Sequence, residues 1–174
     1  TQEDINEPKG VNFKLNNQNF YTNVSYSGRL KNKWKLETGA SFTLSKTDIN
    51  VIEDKINDTE KSAHLKFKLR KNFSNRFKMS YGVEQFLTDF KEDFNNETFD
   101  ATYGFNNNIS AAFTEADIIF SKKFAIKLGL RGEYSQLFDA FTFSPRASLA
   151  YKVSKNSQLS LAYGDFYQQP FNEY

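Results

Sequence analysis

Apolar and polar residues alternate with a period of two along most of this chain. From Phe20 to Leu30 the even positions read Phe20, Thr22, Val24, Tyr26, Gly28 and Leu30, and the odd ones Tyr21, Asn23, Ser25, Ser27 and Arg29. Such alternation puts one set of side chains on each face of an extended strand. After Lys31-Asn32-Lys33 it resumes, with Trp34, Leu36, Thr38, Ala40, Phe42 and Leu44 against Lys35, Glu37, Gly39, Ser41 and Thr43. The two runs predict a hairpin around a tight turn.

Three further hairpins follow. Ala63, Leu65, Phe67 and Leu69 are answered by Phe77, Met79, Tyr81 and Val83 across a turn at Asn72 to Asn75. Ala112 to Phe120 is answered by Phe124 to Gly132 across Lys122, and Ala147 to Val153 by Leu159 to Tyr163 across Ser154 to Ser157. The copies share an architecture and no recognisable sequence repeat. Counting back from each turn pairs Leu30 with Trp34, Thr22 with Phe42, Leu69 with Phe77, Ala63 with Val83, Phe120 with Phe124, Ile118 with Ile126, Val153 with Leu159 and Tyr151 with Leu161. Every pair lands apolar on apolar or on Thr, as a hairpin with one buried face requires. Asp165, at a strand end, is the one charge on the apolar face so assigned. The pattern therefore predicts an all-β, antiparallel up-and-down meander of about eight strands, each roughly ten residues long, the length a tilted strand needs to cross a bilayer.

The hairpin turns are short, whereas the links at Lys46 to Glu60 and Leu87 to Asn108 are polar and rich in Asp, Glu and Asn, and read as long loops gathered at one end. Short turns at one end and elaborated loops at the other, with aromatics such as Trp34, Phe73, Phe77, Phe124, Tyr134, Phe141 and Phe143 near the strand ends, describe an outer-membrane barrel. The organisation expected is an extracellular-loop-like segment at 1–18, a transmembrane segment of eight strands at 19–167, and the start of a further loop at 168–174.

Composition narrows the field. The chain holds 19 Phe and 9 Tyr, yet is hydrophilic on average, as happens when large apolar side chains are interleaved with polar ones. It has no Cys, hence no disulfide framework. A formal net charge of +2, spread along the chain, does not make a nucleic-acid surface. No apolar run approaches the length of a membrane helix, and a strand barrel needs none.

Three stretches carry a family resemblance: FYTNVSYSGRLKNKWKLETGASF at Phe20 to Phe42, GLRGEYS at Gly129 to Ser135, and SPRASLAYKVSKNSQLSLAYGDFYQQP at Ser144 to Pro170. They resemble the middle barrel of TonB-dependent receptors, especially those whose mature chain begins with a carboxypeptidase-regulatory-like domain. The resemblance implies structural signature positions at Gly129, Arg131, Glu133, Pro145, Arg146, Tyr163, Gly164, Tyr167 and Pro170. It further implies energised uptake of a scarce nutrient, such as an iron chelate, a vitamin or a glycan, across the outer membrane of a Gram-negative bacterium. The partners implied are outer-membrane lipid and, in a longer parent, a plug domain and TonB. With no plug, TonB-box segment or signal peptide visible, the chain reads as an excerpt of such a parent.

Candidate chemistry is sparse. The polar face carries Arg29, Lys35, Lys66, Lys68, Arg70, Lys78, Lys127, Arg131, Arg146 and Lys152 against Glu37, Glu84, Glu115, Asp117 and Glu133. Facing a lumen, that basic excess could favour an anionic substrate; solvation, or contact with a plug, is the plainer reading. Asp117 opposite Lys127 and Glu115 diagonal to Arg131 are expected to pair across strands. The acidic links lack the glycine and spacing of a calcium loop, and His64, the single histidine, has no orienting partner in sequence. No catalytic residue, metal site or cofactor is assigned, and the chain does not read as an enzyme. Two alternatives remain open: a self-contained eight-stranded barrel, whose narrow interior would have to hold those charges, and a soluble antiparallel sandwich that binds a partner.

Overall fold

A computed structural model of the protein describes residues 13–52 and 54–167. Eight strands follow one another: β1 (Phe13–Arg29), β2 (Trp34–Val51), β3 (Asp54–Asn72), β4 (Phe77–Asn95), β5 (Asp100–Ile119), β6 (Phe124–Ser135), β7 (Ala140–Lys152) and β8 (Gln158–Gly164). They form a single antiparallel sheet in sequence order, each strand bonded to its neighbours in the chain. β1 and β8 do not pair, so the sheet is an open arc. It is also one layer thick. Its only buried apolar side chains among the described residues are Phe90 and Ala111, while Val24 and Leu161 on the apolar face are 69% and 64% exposed. Among the described residues there is neither a closed eight-stranded barrel nor a two-layer sandwich.

The predicted faces hold, and the predicted lengths do not. The strands of the first five positions run 17 to 20 residues. The links read as long loops are mostly ladder: β2 and β3 stay paired up to Val51 and Asp54, and β4 and β5 up to Asn95 and Asp100. β1 likewise begins at Phe13, inside the segment read as loop-like. The tips are tight. Ile52 takes a left-handed φ of 58°, and at the β4–β5 tip the Asn96 side chain accepts the backbone N–H groups of Thr98 and Phe99, an Asx turn.

Two of the four hairpin registers also differ from the sequence reading. Thr22 faces Phe42 and Ile118 faces Ile126 as expected. Leu69, however, faces Tyr81 and Ala63 faces Leu87, a slip of four, while Leu159 faces Tyr151 and Leu161 faces Leu149, a slip of two. The cause is where each turn closes: the second does so later than assumed, between Phe73 and Phe77, and the fourth over a shorter loop, between Val153 and Ser157. The N–H groups of Phe73 and Ser74 both donate to the Phe77 carbonyl at 3.1 Å, and Ser74 Oγ accepts the N–H groups of Arg76 and Phe77. The same construction recurs at Phe120-Ser121 onto Phe124 and at Val153-Ser154 onto Ser157, with Ser121 and Ser154 filling the role of Ser74. Three of the four hairpins therefore share a sequence element, a serine directly after the last apolar-face residue, and the first has Lys31 in that place. Extending β3 to this turn also places Lys71 on the apolar face, opposite Trp34 and Met79.

Midway along β1 to β5 the two sides of the sheet exchange character. The side that carries Phe20, Leu44, Ala63, Val83 and Ala112 continues as Gln18 and Asn16, as Lys46, Asp48 and Asn50, as Lys61 and Thr59, as Asp89 and Lys91, and as Asn108 and Asn106. On the opposite side, charges give way to Ile49 and Val51, Ile56, Phe86, Phe90 and Phe94, and Ile109, Phe105 and Tyr103. The His64 and Phe86 rings stack at 4.1 Å, and Phe90 lies 5.5 Å from Phe105. This upper region is tall on β4 and β5, where Leu87 to Asn95 adds roughly 26 Å at about 3.3 Å per residue. It is absent from β6 and β7, whose link closes at the level of Asn108, the carbonyl of which accepts the Gln136 N–H at 2.9 Å.

Candidate functional site

Each charged residue singled out from the sequence alternates onto one side of the sheet, in the lower region where the other side is apolar. β3 supplies Lys66, Lys68 and Arg70; β5 Glu115 and Asp117; β6 Lys127, Arg131 and Glu133; β7 Arg146. The structure joins most of them into two groups. In the first, Glu84 of β4, 8% exposed, accepts Lys66 Nζ at 2.6 Å and the guanidinium of Arg131, which also donates through Nε to Glu133 at 2.8 Å. In the second, Glu115 receives Lys68 at 3.3 Å and Lys127 at 3.4 Å. Arg70 pairs with Asp117 at 2.8 Å, and Lys35 with Glu37.

The partners expected from adjacent strands are therefore exchanged. Asp117 sits opposite Lys127 in register but is taken by Arg70, and Arg131 goes to Glu84 and Glu133, not to Glu115. Lys68–Glu115 and Arg70–Asp117 reach across β4 because the β4 residues beneath them, Ser80 and Gly82, are small. Glu84, with its two cations, and Ser80 at 3% exposure are both buried, which makes this an enclosed polar region of the sheet.

Phe113, which the alternation did not single out, organises the first group. Its ring occupies the space over Gly82: a Cβ there would lie 2.2 Å from Phe113 Cζ. Lys66 Nζ, Lys68 Nζ and the Arg131 guanidinium stand 5.6, 5.9 and 6.0 Å from its centroid. The signal available in the sequence was an aromatic on a polar face beside a strand glycine, an arrangement in which the ring covers the bare backbone. Gly82→Ala should cost about 1–3 kcal/mol of stability by expelling that ring. In a Phe113→Ala background the same substitution should cost little, and denaturant titration of all four combinations in the parent protein reads the difference directly.

The signature positions cluster on the last three strands. Gly129, Arg146 and Gly164 form one cross-strand row, and the two glycines leave the Arg146 side chain room to lie 4.6 Å from the Phe166 ring. Arg146 has no acidic partner among the described residues and borders a recess of about 140 Å³ shared with Lys66, Lys68, Glu84, Phe113, Glu115 and Arg131. Pro145 lies on the apolar face opposite Leu130, and its carbonyl accepts the Asp165 N–H. Tyr163 faces Ala147, and Tyr167 is exposed beyond the end of β8. Pro170 lies outside the described residues.

Cross-linking of strands by hydrogen-bonded ions is what this geometry does chemically. Among the described residues no three His, Asp or Glu side chains converge as metal ligands. In the upper region Lys91 and Thr102 both donate to Asp93 at 2.7 Å, and the Lys91 bond holds that carboxyl below its ordinary range.

Comparison with known proteins agrees with this architecture. Residues 2–174 match the family model described as TonB dependent receptor-like, beta-barrel. None of the curated proteins matches. Among solved structures, the alcaligin outer-membrane receptor FauA of Bordetella pertussis aligns with a TM-score of 0.67 at 14% identity, over 83% of this chain and 27% of that one. The RagAB peptide transporter gives 0.61 at 11% identity, over 90% and 23%. The ferric yersiniabactin uptake receptor FyuA of Yersinia pestis gives 0.53 at 12%, over 87% and 24%. The chain thus spans about a quarter of the length of the receptors it resembles.

Proposed function

The chain belongs to the TonB-dependent receptor-like β-barrel family, and from that premise we propose that it forms an arc of the transmembrane wall of an outer-membrane transporter, which in its full-length parent works with a plug domain and TonB to take up a nutrient. The observation that carries this reading is the exchange of polarity between the two sides of the sheet. In a sandwich, one face stays apolar along the whole strand. A wall that passes from lipid into water instead needs an apolar outer band that gives way to a polar outer surface.

The apolar band, from the Trp34 and Phe124 level to the Leu44 and Tyr134 level, faces lipid in this reading, and the ionic network of Glu84, Arg131 and Glu115 faces the lumen. The tall aromatic wall of Phe90, Phe94, Tyr103 and Phe105 then stands on the extracellular side, facing the path of an incoming ligand. Apolar and aromatic ring faces there suit a ligand that presents ring or aliphatic surface, within the classes of iron chelate, vitamin, peptide or glycan.

Fractionation of cells that express the full-length parent tests the reading. It should be recovered from outer membranes and migrate differently on a gel before and after heating. Growth on a limiting supply of the cognate nutrient should require both the parent gene and TonB. Recovery in the soluble fraction with no heat-dependent shift would overturn the membrane wall.

A further inference from the structure

The four hairpin turns gather at one end of the sheet, and that end is basic. Lys31 and Lys33 lie in the first turn, Lys71 and Arg76 at the second, Lys122 and Lys123 in the third, and Lys152 and Lys155 at the fourth. From Leu30 to Trp34, Arg70 to Lys78, Ile118 to Ile126 and Ala150 to Leu159 there is no Asp or Glu. Acidic residues collect at the opposite, tall end: Asp48, Asp54, Asp89, Glu92, Asp93, Glu97 and Asp100. Apart from Lys35, which pairs with Glu37, and Arg70, which reaches up to Asp117, none of the cations at the turn end is in an ion pair among the described residues.

Lys71 fixes where these charges sit relative to the apolar band. On the lipid-facing side it is the one cation at the turn edge of the band among the described residues, Lys61 lying opposite Leu44 at the other edge, and its Nζ lies 5.0 Å from the centroids of both Trp34 and Phe73. Its stem runs along apolar surface while its ammonium is held at the level of the aromatic belt formed by Trp34, the Phe73–Phe77 pair and the Phe120–Phe124 pair. That is the disposition of a side chain reaching from hydrocarbon to headgroup depth. A cation in that plane with no carboxylate in reach has one complementary neighbour in a membrane, the phosphate of a lipid.

We propose that the turn end of this sheet is a docking surface for anionic phospholipid in the leaflet that the short turns enter. Lys71, Arg76, Lys122 and Lys123 meet the headgroup phosphates, and the Trp34, Phe73, Phe77, Phe120 and Phe124 rings pack on the upper acyl chains. The proposal rests on the membrane-wall reading above, and fixes both the depth of the band and the leaflet whose lipid it selects. Each cation near an anionic surface raises binding on the order of fivefold, so several acting together give a preference easily read.

The test uses the full-length parent purified from outer membranes in mild detergent, with native mass spectrometry counting the lipids retained from an equimolar mixture of phosphatidylglycerol and phosphatidylcholine. Phosphatidylglycerol should be retained about tenfold over phosphatidylcholine. Replacing Lys71, Arg76, Lys122 and Lys123 together by Gln should abolish the preference, whereas Lys71→Arg, Lys122→Arg and Lys123→Arg together should keep it. Should the quadruple Gln variant lose its heat-dependent gel shift, Lys71→Gln and Lys122→Gln singly read the same ratio. Equal retention of both lipids, or an unchanged preference in folded Gln variants, would overturn the proposal. A shifted barrel without lipid preference sinks only this inference. An unsubstituted parent with no shift at all sinks the membrane reading beneath it.

Discussion

Ala40→Arg should lower the stability of the parent barrel by about 2–4 kcal/mol, the cost of a cation at mid-depth on a lipid-facing strand, while Ser41→Arg should change it by no more than about 0.5 kcal/mol. The two residues are neighbours on β2 and lie at the same level. Ala40 sits between Val24 and Leu65, and Ser41 between Asn23 and His64. Strand and level are therefore shared, both side chains are small, and the face is the main difference. A membrane-facing guanidinium must either desolvate or thin the lipid around it, whereas one on the other face meets water and neutral polar groups. The difference is read from denaturant titration of the refolded parent in lipid, and from the amount of heat-shifted receptor in outer membranes. Equal costs at both positions would mean that Ala40 does not face hydrocarbon.

Alternation made the lower half of the sheet legible because period two is what a strand with one apolar face must show. The same periodicity is blind to an even slip. Moving Leu69 from Phe77 to Tyr81, or Leu159 from Val153 to Tyr151, leaves every apolar residue on the apolar side, so the hydrophobic pattern cannot choose between registers. The deciding information lay in the turns. Phe73 continues the ladder onto Phe77, past the point where a reading led by Asn and Ser content stops β3, and Val153 closes onto Ser157, a residue that such a reading leaves in the turn.

The upper region escaped notice for a different reason. Its alternation is intact, but the polar members, Asp89, Lys91 and Asp93, outweigh the apolar ones, and the faces are inverted relative to the strands below. Phe86, Phe90 and Phe94 on β4, with Phe105 and Tyr103 on β5, were the available signal, spaced by even steps through an otherwise polar segment. Of the ionic network, the side of the sheet was readable, whereas the partners, and which of the charges pair at all, were not: Arg146 has no acidic partner among the described residues. Lys68 and Arg70 reach strands two places away, and the length of a lysine or arginine side chain is not encoded in nearest-neighbour register.

That network should fail most severely at Glu84. Its carboxylate is 8% exposed and is shared by Lys66 and Arg131, the latter itself largely covered. Removal of one partner from an enclosed ion pair leaves the other charge without the bonds that compensated its desolvation, at a typical cost of about 3–5 kcal/mol. Here Glu133 retains one hydrogen bond to Arg131 and Lys66 can turn to water, so Glu84→Gln should cost at the lower end, about 3 kcal/mol. Arg131→Met in the same background should then add little, because the charge that Glu84 neutralised is gone as well. A double-mutant cycle in the parent barrel therefore predicts strong coupling between positions 84 and 131, of about 2 kcal/mol. Coupling between Glu84 and Lys66 should be smaller, since the Lys66 side chain is nearly half exposed and its ammonium is easily rehydrated. If both couplings came out near zero, the carboxylate would be solvated in the assembled barrel, and the cluster around Phe113 would be a wet lining that does not hold β4 to β6.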